Sequence, residues 1–206
     1  EYNVRPVDVF GGSQFSDEFR KLNPNAKVPV IVDRDGPGGK PFTVFESGAI
    51  LIYLAEKTGK FLPKDGAARY ESLQWMMVQM TGVGPMFGQF VHFMRFAPKG
   101  NDYSLDRYRT QARRVLEVLE GRLATTTWLG GAEYGIADIA TWPWARLVGA
   151  LLGPDAAKDY PKLTEWVTRI AERPAAQRAV KLKDRFTFKT ENDDEARRNM
   201  FRHIKA

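Results

Sequence analysis

Over the first sixty residues the hydrophobic positions change period several times. Residues 4–10 (Val4-Arg5-Pro6-Val7-Asp8-Val9-Phe10) carry β-branched residues and stop at Gly11-Gly12, which predicts a strand and a turn. Residues 16–22 begin with acids and end before Asn23-Pro24, a short helix closed where the residue preceding proline disfavours the α region. Residues 28–33 are a nearly continuous apolar run, residues 36–39 a glycine-rich loop and residues 42–45 a second apolar run, the pattern of an antiparallel hairpin. From Ser47 onward Ile50, Leu51 and Leu54 share one helical face, and the period holds to about Gly59. The predicted order is strand, helix, strand, strand, helix.

Beyond the linker-like stretch at residues 61–66 the strand signal disappears. Residues 67–91 form one long helical pattern with Leu73, Met76, Met77, Met80 and Val83 in its stripe, and residues 105–124 a second with Tyr108, Ala112, Val115, Leu116 and Leu119. Residues 136–152 predict a third helix, kinked at Pro143; residues 163–172 and 175–182 two shorter ones parted at Arg173-Pro174; and residues 193–203 a last amphipathic one. The pattern divides the chain into a small α/β domain, residues 1–62, and an all-α domain, residues 67–206, that includes a C-terminal extension.

Composition narrows the chemistry. The 206 residues are 43% hydrophobic, enough for a sizeable core, and no apolar run is long enough to span a bilayer. No secretory signal opens the chain. The absence of cysteine excludes a disulfide framework or a Cys-X-X-Cys redox pair, and two histidines, His92 and His203, argue against a zinc site. The net charge is +6. From residue 181 onward eight Lys and Arg face five acids with the signs interspersed, a solvated surface rather than a nucleic-acid stripe.

Several short constellations have chemistry to offer. Residues 25–29 (Asn25-Ala26-Lys27-Val28-Pro29) read either as a plain turn before a buried strand or as a bend, with a cis bond before Pro29, that leaves the N–H and C=O of Val28 open to an extended ligand. Ser47 reads as a helix N-cap; it is a simple cap, or, with Glu46 beside it, a grip for the α-carboxylate and α-amine of an amino acid. Asp138, three residues after Gly135, is placed to reach back to the N-cap amide as half of a capping box, a structural role. Trp144 packs in the core or lines an apolar pocket, and Arg107 and Arg109 are surface charges or anion binders. The stretch Gly82-Val83-Gly84-Pro85-Met86-Phe87-Gly88 has the wrong spacing, and no preceding strand, for a nucleotide loop. His92 reads as a partly buried packing residue.

In order these signals make a family pattern. Lys27-Val28-Pro29, then Glu46-Ser47-Gly48-Ala49-Ile50, then Tyr53-Leu54, a linker, helices and Ala137-Asp138-Ile139 at the start of a buried one resemble a cytosolic glutathione transferase over almost the whole chain. Gly12-Ser13-Gln14-Phe15, Leu54-Ala55-Glu56-Lys57-Thr58-Gly59, Gly84-Pro85-Met86-Phe87-Gly88-Gln89, Trp128-Leu129-Gly130-Gly131 and Ile139-Ala140-Thr141-Trp142-Pro143-Trp144 are similar to the bacterial nu class, close to the yeast prion-like transferase relatives.

The resemblance implies a thioredoxin-like α/β N-terminal domain followed by an all-α C-terminal domain, in a cytoplasmic homodimer with the long helix near the interface and with no nucleic-acid or membrane partner. It implies glutathione as co-substrate and no metal. Val28, before cis-Pro29, pairs its backbone with the cysteinyl part; Glu46 and Ser47 hold the γ-glutamyl ammonium and carboxylate; Gln14 and Lys27 reach the glycyl end. Arg107, with Trp144, belongs to a second pocket that in nu-class proteins holds a second glutathione. The implied activity is disulfide-bond reduction through two glutathiones. Conjugation to an electrophile and peroxide reduction are alternatives, and a non-catalytic binding or assembly module is another. The chain opens on Glu1-Tyr2-Asn3-Val4 without initiator Met or turn signal and reads as lacking the first strand and most of the first helix, truncated or unseen. The loop expected to activate the sulfur lies before Glu1, so no catalytic residue is assigned. The C-terminal extension is expected to pack over the second pocket or onto the partner.

Overall fold

In the computed structural model of the protein residues 2–201 are described. His203 and the last residues of the predicted C-terminal helix lie outside them, as does Glu1. The chain sorts into two compact units, Glu1–Ile50 together with Arg178–Ala206, and Leu51–Gln177.

In the first unit α1 (Asp17–Leu22) is capped by the Ser16 hydroxyl, which accepts the Phe19 N–H, and ends at Asn23. β1 (Val30–Asp33) pairs antiparallel with β2 (Phe42–Phe45) in the register Val30↔Phe45 to Asp33↔Phe42, the predicted hairpin. α2 (Ser47–Thr58) follows directly; its first turn belongs to this unit and the rest, from Leu51, to the second. The strand predicted at residues 4–10 is not formed. The Asp8 carboxylate accepts the N–H groups of Phe10 and Gly11, and the Asp8 carbonyl that of Ser13, which turns the chain where a strand would continue. Among the described residues β1 and β2 pair only with each other. At the far end of the chain α9 (Pro174–Lys181) and α10 (Asp194–Met200) flank an irregular stretch; Asp193 caps α10 through the Ala196 N–H at 2.8 Å.

The second unit is helical: α3 (Gly66–Val78), α4 (Gly84–Arg95), α5 (Asp102–Leu123), α6 (Ile136–Ala145), α7 (Val148–Leu152) and α8 (Pro161–Ala171). The long helix predicted at residues 67–91 is interrupted by one π-helical turn, Gln79–Val83, before Pro85. The predicted helix 136–152 is two helices. Pro143 has no N–H for the Ile139 carbonyl, and the chain leaves helical geometry at Leu147, four residues on. α5 buries Ala112, Leu116, Leu119 and Leu123 at helical spacing, as its pattern predicts. Met76, Val83, Phe87, Leu116, Leu129 and Trp166 are all but fully buried and build the core.

Asp138 ties this unit together. It is fully buried, and its carboxylate accepts the Gly135 N–H at 3.0 Å, the Leu129 N–H at 2.9 Å and the Trp166 indole N–H at 2.8 Å. The expected half capping box is therefore present, extended to the loop before α6 and to α8. Burial pushes the carboxyl up from its ordinary value, and the donors from Leu129, Gly135 and Trp166 pull the other way by favouring the charged form. Glu120 does a similar job on α5, accepting the N–H groups of Lys162 and Leu163 in the first turn of α8.

Candidate functional site

The candidate residues of the first unit converge at one end of the hairpin. The pairing of β1 and β2 ends at Val30↔Phe45, so Pro29 directly precedes one strand end and Glu46 directly follows the other. The Val28–Pro29 peptide bond is cis, as expected. Val28 is exposed, and among the described residues neither its N–H nor its C=O has a hydrogen-bond partner. A donor and an acceptor on one exposed residue suit a ligand that adds like a short strand.

Glu46 closes β2 and opens α2. It stands at φ 69°, the left-handed region that costs a non-glycine residue about 1–2 kcal/mol. Its carbonyl accepts the Ile50 N–H at 2.9 Å, so Glu46 holds the N-cap position. Ser47 is then the first helical residue rather than the N-cap expected for it. The correction follows from the backbone: the turn out of β2 is made at Glu46, and the helix starts one residue later. The consequence for chemistry is small. The N–H groups of Ser47, Gly48 and Ala49 fall in the first turn, where no intrahelical acceptor exists, and the Ser47 hydroxyl stands beside them at the positive end of the helix dipole. Such an end takes a carboxylate; the exposed carboxylate of Glu46 beside it takes an ammonium.

Two residues to which the sequence assigned no individual role hold the turn before Val28. Asn23 is buried, and its side chain donates to the Lys27 carbonyl at 2.7 Å and accepts the Asn25 N–H at 2.9 Å. Its backbone N–H meanwhile ends α1 on the Phe19 carbonyl. Asn25 Nδ2 makes a long 3.5 Å contact to Glu46 Oε1, joining the turn to the helix entrance. Asn on either side of Pro24, a dense turn signal, was the clue. Lys27 is exposed beside Val28, a free-standing cation for a carboxylate.

Gln14 is placed differently from the others. It is buried, with Nε2 donating to the Val9 carbonyl at 3.1 Å and Oε1 without a partner. Its carboxamide holds the 8–14 loop.

Arg107 and Trp144 belong to the second unit. Arg107 is exposed on α5; its neighbour Arg109 is engaged by Asp106 at 2.7 Å and lies over the Phe90 ring. Trp144 is half-buried on α6 with its ring 6.0 Å from that of Phe87. His92 packs edge-on to Phe93 and beside Phe96, as expected of a packing residue, and burial lowers its pKa. Among the described residues no cluster of His, Asp or Glu is arranged to hold a metal ion.

Comparison with known proteins decides the family. Residues 1–56 match the glutathione S-transferase N-terminal domain and residues 75–174 the glutathione S-transferase C-terminal domain. The chain is 45% identical over 181 residues to the disulfide-bond oxidoreductase YfcG of Escherichia coli, spanning 87% of this chain and 83% of that one. The chain belongs to the glutathione S-transferase family. Within it, the disulfide-bond oxidoreductase YghU of Escherichia coli is 41% identical over 86% of this chain and 63% of its own. A glutathione transferase from Burkholderia graminis, solved with two glutathione molecules per subunit, superposes with a TM-score of 0.82 at 44% identity, covering 90% of this chain and 80% of that one. One from Pseudomonas putida, solved with one glutathione disulfide per subunit, gives a TM-score of 0.82 at 42% identity over 89% and 81%. These matches bear out the thioredoxin-like N-terminal and helical C-terminal architecture read from the sequence.

Proposed function

We propose that this protein is a glutathione-dependent disulfide-bond reductase that works with two bound glutathiones. The observation that carries the reading is the end of the β1–β2 hairpin: an unpaired Val28 backbone precedes β1, the Glu46 carboxylate and the helix N-terminus at Ser47 follow β2, and Asn25 Nδ2 contacts Glu46 Oε1 across the turn at 3.5 Å. Those three groups complement a peptide that begins with an α-amino acid joined through its side chain. The Ser47 hydroxyl and the first-turn N–H groups take the γ-glutamyl carboxylate; Glu46 takes the γ-glutamyl ammonium; Val28 pairs with the cysteinyl amide and carbonyl. Lys27 and Gln14 serve the glycyl end. The names of YfcG and YghU, and the two glutathiones or the glutathione disulfide in the related structures, support the extension to disulfide chemistry.

The reaction then runs between ligands, since the chain has no cysteine of its own. The first glutathione thiolate attacks one sulfur of the substrate disulfide, forming a mixed disulfide and expelling a substrate thiolate, which takes up a proton. The second glutathione thiolate attacks the glutathione sulfur of that mixed disulfide and expels the other substrate thiolate. Two glutathiones are oxidised to glutathione disulfide, and one disulfide is reduced to two thiols. The protein's part is to bind the glutathiones and favour the thiolate, whose ordinary pKa near 8.5 leaves little of it at neutral pH. Arg107 and Trp144 of the helical unit are the residues proposed for the second glutathione. Such a reaction needs a reducing pool of glutathione, which fits a cytoplasmic place of action.

The same reading includes a homodimer. On α3 the side chains of Tyr70, Leu73, Met77 and Val78 make an apolar face, with Tyr70 68% and Met77 44% exposed. We assign this face to the dimer contact. The binding claim is tested by calorimetric titration of glutathione into the wild type and Ser47→Ala. Loss of one hydrogen bond to a carboxylate is worth about 1.5–3 kcal/mol, so affinity is expected to fall tenfold or more. Equal affinities would overturn the assignment of Ser47.

A further inference from the structure

The stretch between α9 and the end of α10 has no part in the glutathione reading, yet it folds in the same unit as the 8–14 loop that carries Gln14. Two hydrogen bonds join them across more than 180 positions of sequence. Asn199 Nδ2, on α10, donates to the Phe10 carbonyl at 2.8 Å, and the Lys189 N–H donates to Asp8 Oδ2 at 3.4 Å. On the loop side Asp8 Oδ1 accepts the Phe10 and Gly11 N–H groups, so one carboxylate shapes the loop with one oxygen and meets the tail with the other. The Gln14 carboxamide donates to Val9 and the Asn199 carboxamide to Phe10, so two carboxamides clasp successive carbonyls of one turn.

The tail is itself organised for this. Asp193 caps α10, and Lys189 Nζ is ion-paired with Asp193 at 3.0 Å and with Glu195. The capped helix buries Ala196 completely, which fixes its rotation and so the direction of Asn199.

We propose that Asn199 is a positioning residue for glutathione: the segment 186–200 straps down the 8–14 loop and thereby holds Gln14 at the glycyl end of the ligand. The proposal rests on the glutathione reading above. Its cost of failure is carried by the ligand, because a loop freed of its strap must be ordered again on binding.

The experiment compares the full chain with Asn199→Leu, which keeps the size and loses the donor, and with Arg198→Ala, an exposed change on the same helix. Glutathione affinity is read by calorimetry, stability by thermal denaturation, and the loop by amide hydrogen exchange at residues 10–14. Asn199→Leu is expected to bind glutathione several-fold more weakly at near-unchanged melting temperature, with faster exchange at residues 10–14 and a raised KM for glutathione at unchanged kcat. Arg198→Ala is expected to match the wild type. Affinity and loop exchange equal to wild type in Asn199→Leu would overturn the proposal. Should Asn199→Leu not fold, Asn199→Asp, which also lacks the donor, is held to the same two results. If the wild type itself binds no glutathione, the reading of the site fails; unchanged exchange in the variant would sink the strap separately.

Discussion

Glu46 is the residue on which structure and chemistry pull against each other. A glutamate at φ 69° is strained, and glycine would adopt that conformation freely. Strain of this kind persists where the side chain is needed in that place. Glu46→Gly is therefore expected to raise stability by about 1 kcal/mol, seen as a higher melting temperature, while weakening glutathione binding through loss of the ammonium's partner. A variant less stable than wild type would show that the conformation is not a burden. His92 gives a residue-scale pH signature. Burial lowers its folded pKa below the model-peptide value of 6.5, so the unfolded chain binds the proton more readily. Its contribution to stability is present above pH 6.5 and is lost as pH falls through that value. Replacing His92 by Phe should flatten the dependence of melting temperature on pH between about 7.5 and 5.5, measured side by side with wild type.

What the sequence made legible at this scale was the residues proposed to meet the ligand: Val28 before a proline, Glu46 and Ser47 at a helix start. Asn23 escaped notice because its work is done by a buried side chain bonded to the backbone of its own turn, a role shared in form with many ordinary turn asparagines. The position of Glu46 rather than Ser47 at the N-cap was hidden for a related reason. A serine after a strand has the composition of a cap, and only the backbone angles show that the turn is made one residue earlier.

At the scale of elements the helical half was the more readable. The stripes of α5 and α8 are dictated by their own spacing, and Asp138 three residues into α6 was recognisable from its distance to Gly135. The added bonds from Leu129 and Trp166 join residues 9 and 28 positions away and leave no local trace. Asp138→Ala would strand those three buried donors, and a loss of about 2–4 kcal/mol is expected in denaturant unfolding. A loss under 1 kcal/mol would mean that water replaces the carboxylate. The strand expected at residues 4–10 failed because β propensity needs a ladder to act on, whereas the Asp8 side chain satisfies the local amides at once. The long helix 67–91 was right in extent and wrong in regularity: one π-helical turn accommodates an extra residue before Pro85, and no period analysis resolves a single residue of slippage.

At the scale of the molecule the lack of cysteine in residues 1–206 has the widest consequence. On the proposed reading the reacting sulfurs come from the ligands, and the task of these residues is to bind glutathione. The C-terminal segment bonds to the loop of its own unit through Asp8 and Phe10. The homodimer reading proposed above is tested at the apolar side chains of α3: wild type is expected to scatter light as a dimer and Met77→Glu as a monomer, and a wild-type monomer would contradict the proposal.

The most direct test of the central claim is the stoichiometry of turnover. The full-length protein is incubated with glutathione and a small organic disulfide, and glutathione disulfide and released thiol are both quantified. The account predicts a protein-dependent rate that saturates in glutathione, with one glutathione disulfide and two thiols formed for each disulfide consumed. A rate no greater than that of the protein-free mixture would contradict it.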